Sequence, residues 1–220
     1  MSSVLPSRLR NWIRTAAPGL IRPVARSTND YATHLPVLIG LGSRRRIKSV
    51  LELGCGHYST RTFLNRKTFA DLTVLDSYET DDSWATALKD VTNDARASIH
   101  VVPAPMADVI ESVDLRAYDL IFVDDSTSEQ DRVATIRALS RRKPPDSLIV
   151  IHDFEVRSYI DAARSFRHRY AIKSFNPETG VLWQTSAELR DVLKEIDSVI
   201  KRHAGYLKPD DLDAWVQAFS

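Results

Sequence analysis

The chain has one cysteine, two methionines and only seven glycines among 220 residues. A lone Cys55 can form no intrachain disulfide and cannot supply a zinc site built on several thiolates, so a reducing, cytoplasmic setting is the expectation. Long apolar runs are missing too. None approaches the roughly 20 residues that span a bilayer, and the run between Arg14 and Arg22 is too short for a secretory signal. Acids are scarce at the front: residues 1–50 carry nine Arg and Lys against Asp30 alone, a net charge of +8, leaving −7 for the rest.

What is present is a 43% hydrophobic composition without repeats or low-complexity tracts, enough for one sizeable core. Residues 1–47 read as a basic, helical N-terminal extension or cap. Within it, residues 1–29 contain no acid and place Leu5, Leu9, Trp12, Ile13 and Ala16 at helical spacing. Such a segment suits packing on the body, a peripheral membrane contact, a targeting segment or a homodimer contact.

From Ser49 onward, strand-like and helical patterns alternate every 20–25 residues or so, the signature of a parallel sheet with crossover helices. Strands are expected near 48–53, 71–78, 98–102, 118–123 and 147–152. Helices are expected near 59–67, 82–95, 105–113, 127–142 and 155–169, the fourth capped by Ser126 or Thr127. Residues 170–175 and 181–185 then read as two strands joined by a turn through Asn176-Pro-Glu-Thr-Gly180. The whole is an α/β fold: a Rossmann-like, seven-stranded, mostly parallel sheet with an antiparallel C-terminal hairpin and helices on both faces. The core spans 48–185, and residues 186–220 carry helical patterns that pack on it.

Against this scarcity of glycine, Ser49-Val-Leu-Glu-Leu-Gly-Cys-Gly56 places two glycines one residue apart at a strand end. Bare backbone there lets a ligand approach the turn and the helix N-terminus behind it. A dinucleotide loop asks for a third glycine where this chain has Ser59, and does not ask for Glu52.

Val50-Leu-Glu-Leu-Gly-Cys-Gly56 resembles the first motif of class I S-adenosylmethionine-dependent methyltransferases, an apolar-Asp/Glu-x-Gly-x-Gly pattern after the first strand. Tyr78-Glu-Thr-Asp-Asp-Ser-Trp84, Tyr118-Asp-Leu-Ile-Phe-Val-Asp-Asp125 and Ser147-Leu-Ile-Val-Ile-His-Asp153 are similar to its later motifs, so the resemblance covers roughly 48–185. It implies S-adenosylmethionine bound at Gly54, Gly56 and Glu79, with Asp76 the competing ribose ligand. Glu52 orders the glycine turn or meets the methionine amine. Met106 lies by the adenine, and Asp124 borders both cofactor and acceptor.

For a hydroxyl acceptor, methyl transfer needs alignment and removal of a proton. Asp124, Asp125, His152 and Asp153 fall at the ends of strands four and five, the edge where ligands bind in such sheets. One subset, resembling catechol and antibiotic-sugar O-methyltransferases, implies a divalent metal, Mg or Mn, at Asp124, His152 and Asp153. The chain departs from that subset by placing His152 where the sugar enzymes have an acid and Phe154 where the catechol enzyme has an amide. His152 with Asp124 and Asp153 is equally suited to metal-free base catalysis. Asp125 reads as a helix cap, His34 as a structural histidine or site contact, Trp84 as helix packing and Trp183 as core.

The resemblance thus implies methylation of a small molecule, most simply at a hydroxyl. The alternatives are a catalytically degenerate module that binds cofactor or a partner, and aminopropyl transfer, which would leave His152 without a role. Nucleic acid is disfavoured as substrate, because strand four does not end in the Asn/Asp-Pro-Pro-aromatic signature that resembles base methylases.

Overall fold

A computed structural model describes residues 32–44, 46–88, 93–103, 105–185 and 192–198. The N-terminal pattern over 1–29 and the last helical pattern, from Pro209, lie outside them.

The described chain runs α1 (Leu35–Arg44), β1 (Ser49–Leu53), α2 (Ser59–Leu64), β2 (Val74–Glu79), α3 (Asp82–Thr86), β3 (Ala97–Val101) and α4 (Met106–Ser112). It continues through β4 (Leu120–Val123), α5 (Glu129–Arg142), β5 (Leu148–Ile151), α6 (Arg157–Ala162), β6 (His168–Ile172) and β7 (Thr179–Trp183). The strands form one sheet in the order β3-β2-β1-β4-β5-β7-β6. β1 to β5 are parallel, and β7 runs antiparallel to both β5 and β6. This is the Rossmann-like sheet with a C-terminal antiparallel hairpin that the alternating pattern predicts. No described helix is long and apolar enough to cross a membrane.

β1, β4 and β5 are buried along their length apart from Ser49, as expected for central parallel strands covered on both faces. Val50, Phe122 and Val150 pack with Val37, Leu38 and Leu41 of α1 and Phe63 of α2. Leu51, Leu53, Ile121, Val123, Ile149 and Ile151 pack on the opposite side with Met106, Ile110, Ile136 and Leu139 of α4 and α5. The order reverses where β1 separates β2 from β4, so the loops after β1 and β4 open a crevice at the carboxyl edge.

Several expected boundaries shift. The helix expected over 82–95 ends at Thr86, and those expected over 59–67 and 155–169 contract to Ser59–Leu64 and Arg157–Ala162. α5 starts later than the pattern suggested, because Ser128 rather than Ser126 or Thr127 is its N-cap, with its side chain accepting from the Asp131 amide. The hairpin strands begin at His168 and Thr179, two residues early, so Gly180 lies inside β7 rather than in the turn. A Cβ at Gly180 would fall 2.4 Å from Phe154 Cγ, so this glycine makes room for a ring.

Candidate functional site

The glycine turn leaves β1 with Gly54 at φ +86°, a conformation open to glycine. Its α-carbon lies against the end of β4: a Cβ would come 2.1 Å from the Asp124 carbonyl oxygen. At Gly56 the space is open, a Cβ meeting only Ser59 Oγ at 3.4 Å. The first glycine therefore lets the two strand ends close together, and the second leaves backbone accessible to a ligand.

Glu52 lies beneath this turn. Its Oε2 accepts from Ser77 Oγ at 2.5 Å and Thr60 Oγ1 at 2.9 Å, while Thr60 Oγ1 accepts from the Gly56 amide at 3.0 Å. The acid is fully buried, and burial pushes it up to about 7 against the lowering effect of its hydroxyl partners. Of the two roles expected for Glu52, holding the turn is the one its contacts serve. Thr60 and Ser77, the links in this chain, have no signal in the sequence pattern beyond their position near the motif.

At the end of β2, Glu79 Oε1 accepts from the amides of Thr80 at 2.7 Å and Asp81 at 3.0 Å, and its Oε2 meets Cys55 Sγ at 3.8 Å. Glu79 is thus fixed beside the glycine turn. Asp76, the competitor, lies on the other side of β2 and accepts from Tyr118 Oη at 2.8 Å. Strand alternation separates the two acids. Trp84 does not pack its helix on the sheet as expected: it is 44% exposed, and its Nε1 donates to the Cys55 carbonyl at 2.5 Å, strapping the turn from outside. Met106 is buried in the core with Leu53 and Val123.

At the ends of β4 and β5 the four predicted groups do come together, in two sets. Asp124 Oδ2 lies 3.3 Å from His152 Nδ1, whose Nε2 is 2.8 Å from Thr33 Oγ1. The His34 ring stands edge-on to His152 at 4.9 Å. On the α5 side, Asp125 Oδ2 accepts from Thr135 Oγ1 at 2.6 Å, so it braces α5 rather than capping it. Asp153 takes φ +56°, a left-handed conformation that Asp tolerates, and its Oδ2 accepts from Arg132 Nη1 at 2.5 Å.

Arg132 is the residue that sequence reasoning missed. Buried to all but 4%, it donates to Asp124 Oδ1 at 2.9 Å and Asp153 Oδ2, lies 3.7 Å from Asp125 Oδ1, and reaches the Ser126 carbonyl at 2.5 Å. One guanidinium thus sits among three carboxylates, where an all-oxygen metal site using Asp124 and Asp153 would need its ion. Phe154 is turned away and packs on Gly180.

The charges follow from these contacts. Burial works to raise Asp124, but its hydrogen bond to His152 and the charges of His152 and Arg132 prevail and hold it at about 2. Burial alone would lower His152, yet Asp124 and Asp153 raise it above the usual histidine value. His34 goes the other way, lowered to about 3 by burial first and by His152 second. The pair of imidazoles is therefore split into one that favours its proton and one that stays neutral.

Residues 51–154 match the family model described as a methyltransferase domain. No curated protein matches the chain in sequence. Among solved structures, monomeric WbdD superposes with a TM-score of 0.55 at 14% identity, over 82% of this chain and 49% of that one, so the chain spans about half of that protein. A protein from Pseudomonas syringae assigned as a methyltransferase gives 0.50 at 15% identity over 69% and 97%. The N-methyltransferase NodS from Bradyrhizobium japonicum WM9 gives 0.45 at 14% identity over 67% and 89%. At these identities the likeness is one of fold.

Proposed function

Starting from a chain that carries a methyltransferase domain over residues 51–154 and is an S-adenosylmethionine-dependent methyltransferase, we propose that it methylates a small molecule at a hydroxyl group. The observation that carries this reading is the abutment of the cofactor turn and the acid–histidine pair: Gly54 lies against the Asp124 backbone, and the Asp124 side chain meets His152 at 3.3 Å.

The residues fit the cofactor. Gly56 leaves the open backbone beneath which its methionine portion would lie, and Glu79, fixed through Oε1 by two amides, offers a carboxylate edge to vicinal ribose hydroxyls. Each such bond to a charged acceptor is worth about 1.5–3 kcal/mol. When bound, S-adenosylmethionine supplies an electrophilic methyl group on a sulfonium. Glu52 and Thr60 keep the turn in the receiving conformation.

On the acceptor side, the ionised Asp124 would accept the hydroxyl's hydrogen bond and take its proton, with His152 beside it holding the carboxylate in place. The group that a substrate must reach is deep. His34 and His152 are buried and the Asp124 side chain is only 23% exposed, which favours a small acceptor over a duplex or a folded protein. Oxygen as the acceptor is a reading drawn from the Asp124–His152 pair, since a neutral amine needs less help in losing its proton.

Labelled methyl donor, incubated with the protein and a fractionated cell extract, tests the proposal. Label should enter the small-molecule fraction as an alkali-stable methyl ether, and fall at least tenfold with Asp124→Asn. Label in protein or nucleic acid, or on nitrogen, would overturn the acceptor assignment.

A further inference from the structure

Both ring nitrogens of His34 are buried and have no hydrogen-bond partner, although an unpaired buried polar group costs about 1–3 kcal/mol. The ring is 2% exposed, tilted against Phe122 at 4.9 Å and edge-on to His152. One ligand atom each from His34, Asp124 and His152 lie within 4.8 Å of one another. An imidazole without a partner, aimed into a carboxylate and a second imidazole, is the donor set of a divalent transition ion.

The surrounding contacts are those such a site requires. His152 Nδ1 and Asp124 Oδ2 are 3.3 Å apart. That is the edge expected between two ligands of a tetrahedral ion with bonds of about 2.0–2.1 Å. His34 must close from at most 4.8 Å to about the same spacing, a side-chain adjustment. With Nδ1 on the ion, His152 Nε2–H donates to Thr33 Oγ1 at 2.8 Å, fixing the tautomer. The other oxygen of Asp124 is held by Arg132 at 2.9 Å. Metal-bound histidines and carboxylates are characteristically oriented in this way by outer partners.

Asp153 does not belong to this group: its Oδ2 is bonded to Arg132 at 2.5 Å and its Oδ1 lies 3.6 Å from His152 Nδ1, farther than Asp124 Oδ2. Two nitrogens and one oxygen also disfavour Mg²⁺, which prefers an octahedral oxygen shell. We infer that His34, Asp124 and His152 bind one divalent transition ion of the zinc, manganese or iron(II) class, with a coordination position open on the partly exposed side of Asp124. The site stands on its own geometry; only its use, polarising the acceptor hydroxyl, rests on the methyltransferase reading.

The test titrates chelator-treated, untagged full-length protein with Zn²⁺ by calorimetry and with Co²⁺ by visible absorption, and measures S-adenosylhomocysteine binding on the same samples. Expected is one equivalent of zinc, tetrahedral cobalt bands, and affinity weakened at least about tenfold by His34→Gln but retained in Asp153→Asn. Should His34→Gln fail to fold, His34→Cys decides: a cobalt-bound thiolate adds a sulfur charge-transfer band. No stoichiometric zinc on folded protein, unchanged affinity in His34→Gln, or no thiolate band in His34→Cys overturns the inference. S-adenosylhomocysteine binding without metal binding would sink this site alone, whereas metal without S-adenosylhomocysteine would leave it standing and remove the methyltransferase reading.

Discussion

Arg132 Nη1 donates to Asp153 Oδ2 at 2.5 Å, tying the first turn of α5 to the turn after β5. The same guanidinium holds Asp124, so the charge balance of the acceptor edge depends on a single side chain. Replacing Arg132 with Met keeps the aliphatic volume and strands three acids, two of them partly exposed only. Breaking a buried pair in this way costs about 3–5 kcal/mol. Urea unfolding should show a loss of that order, with a smaller loss for Arg132→Lys, which cannot bridge three carboxylates. Equal stability of Arg132→Met and the parent would show that the cluster is not a stabilising unit.

Thr60 passes the constraint of Glu52 to the Gly56 amide through bonds of 2.9 and 3.0 Å. Thr60→Val removes both and keeps the shape, so folding stability should fall by about 1–3 kcal/mol and S-adenosylhomocysteine should bind more weakly. Thr60→Ser should restore most of the affinity. Titration of the three proteins checks this, and an unchanged affinity in Thr60→Val would separate the turn from the ligand.

The raised Glu52 carboxyl gives a pH signature. Its folded value of about 7 lies above the ordinary 4.5, so the native state holds a proton that the unfolded chain releases. That contribution is fully present below about 4.5 and is lost as pH rises through 7. The shift corresponds to about 3 kcal/mol. His34, lowered to about 3, acts in the opposite direction below 6.5, so the difference between proteins is the useful readout. Glu52→Gln should gain on the parent by about 3 kcal/mol between pH 4.5 and 7.5, measured by denaturant unfolding across that range. A difference independent of pH would contradict the account.

Gly54 combines a positive φ with a Cβ position 2.1 Å from the Asp124 carbonyl oxygen. Gly54→Ala must therefore both strain the turn and push β1 from β4. It should abolish S-adenosylhomocysteine binding and lower the melting temperature, whereas at Gly56, where a Cβ meets only Ser59 Oγ at 3.4 Å, alanine should spare the fold and weaken only the ligand. Thermal melts with and without ligand distinguish the two.

The sheet was legible because its central strands are short apolar runs at regular spacing, and the antiparallel hairpin because of the turn residues between its strands. Glu79, Asp124 and His152 were legible as strand-end polar groups next to a glycine turn. Arg132 was not: within α5 it follows Glu129 and Asp131 and reads as one more charge on a solvated face, and only folding reveals that Asp153, 21 residues on, shares its charge. His34 read only as a structural histidine or a site contact, and its place beside His152 was not legible, since its neighbour Thr33 meets His152 across 119 residues. Helix ends were overrun for a similar reason. Asp81-Asp-Ser-Trp84 starts a helix well, with Asp81 as its N-cap, but no local signal in the sequence marks its end at Thr86, and the Trp84 indole bond to the Cys55 carbonyl is a tertiary contact.

The central claim, that the glycine turn and Glu79 form the cofactor site of a working methyltransferase, is tested most directly by calorimetric titration of the full chain with S-adenosylhomocysteine, alongside Glu79→Gln. The account predicts stoichiometric binding by the parent and an affinity at least about tenfold weaker in the variant, the loss of bonds to a charged acceptor. Absence of binding to the folded parent, or equal affinity in Glu79→Gln, would contradict it.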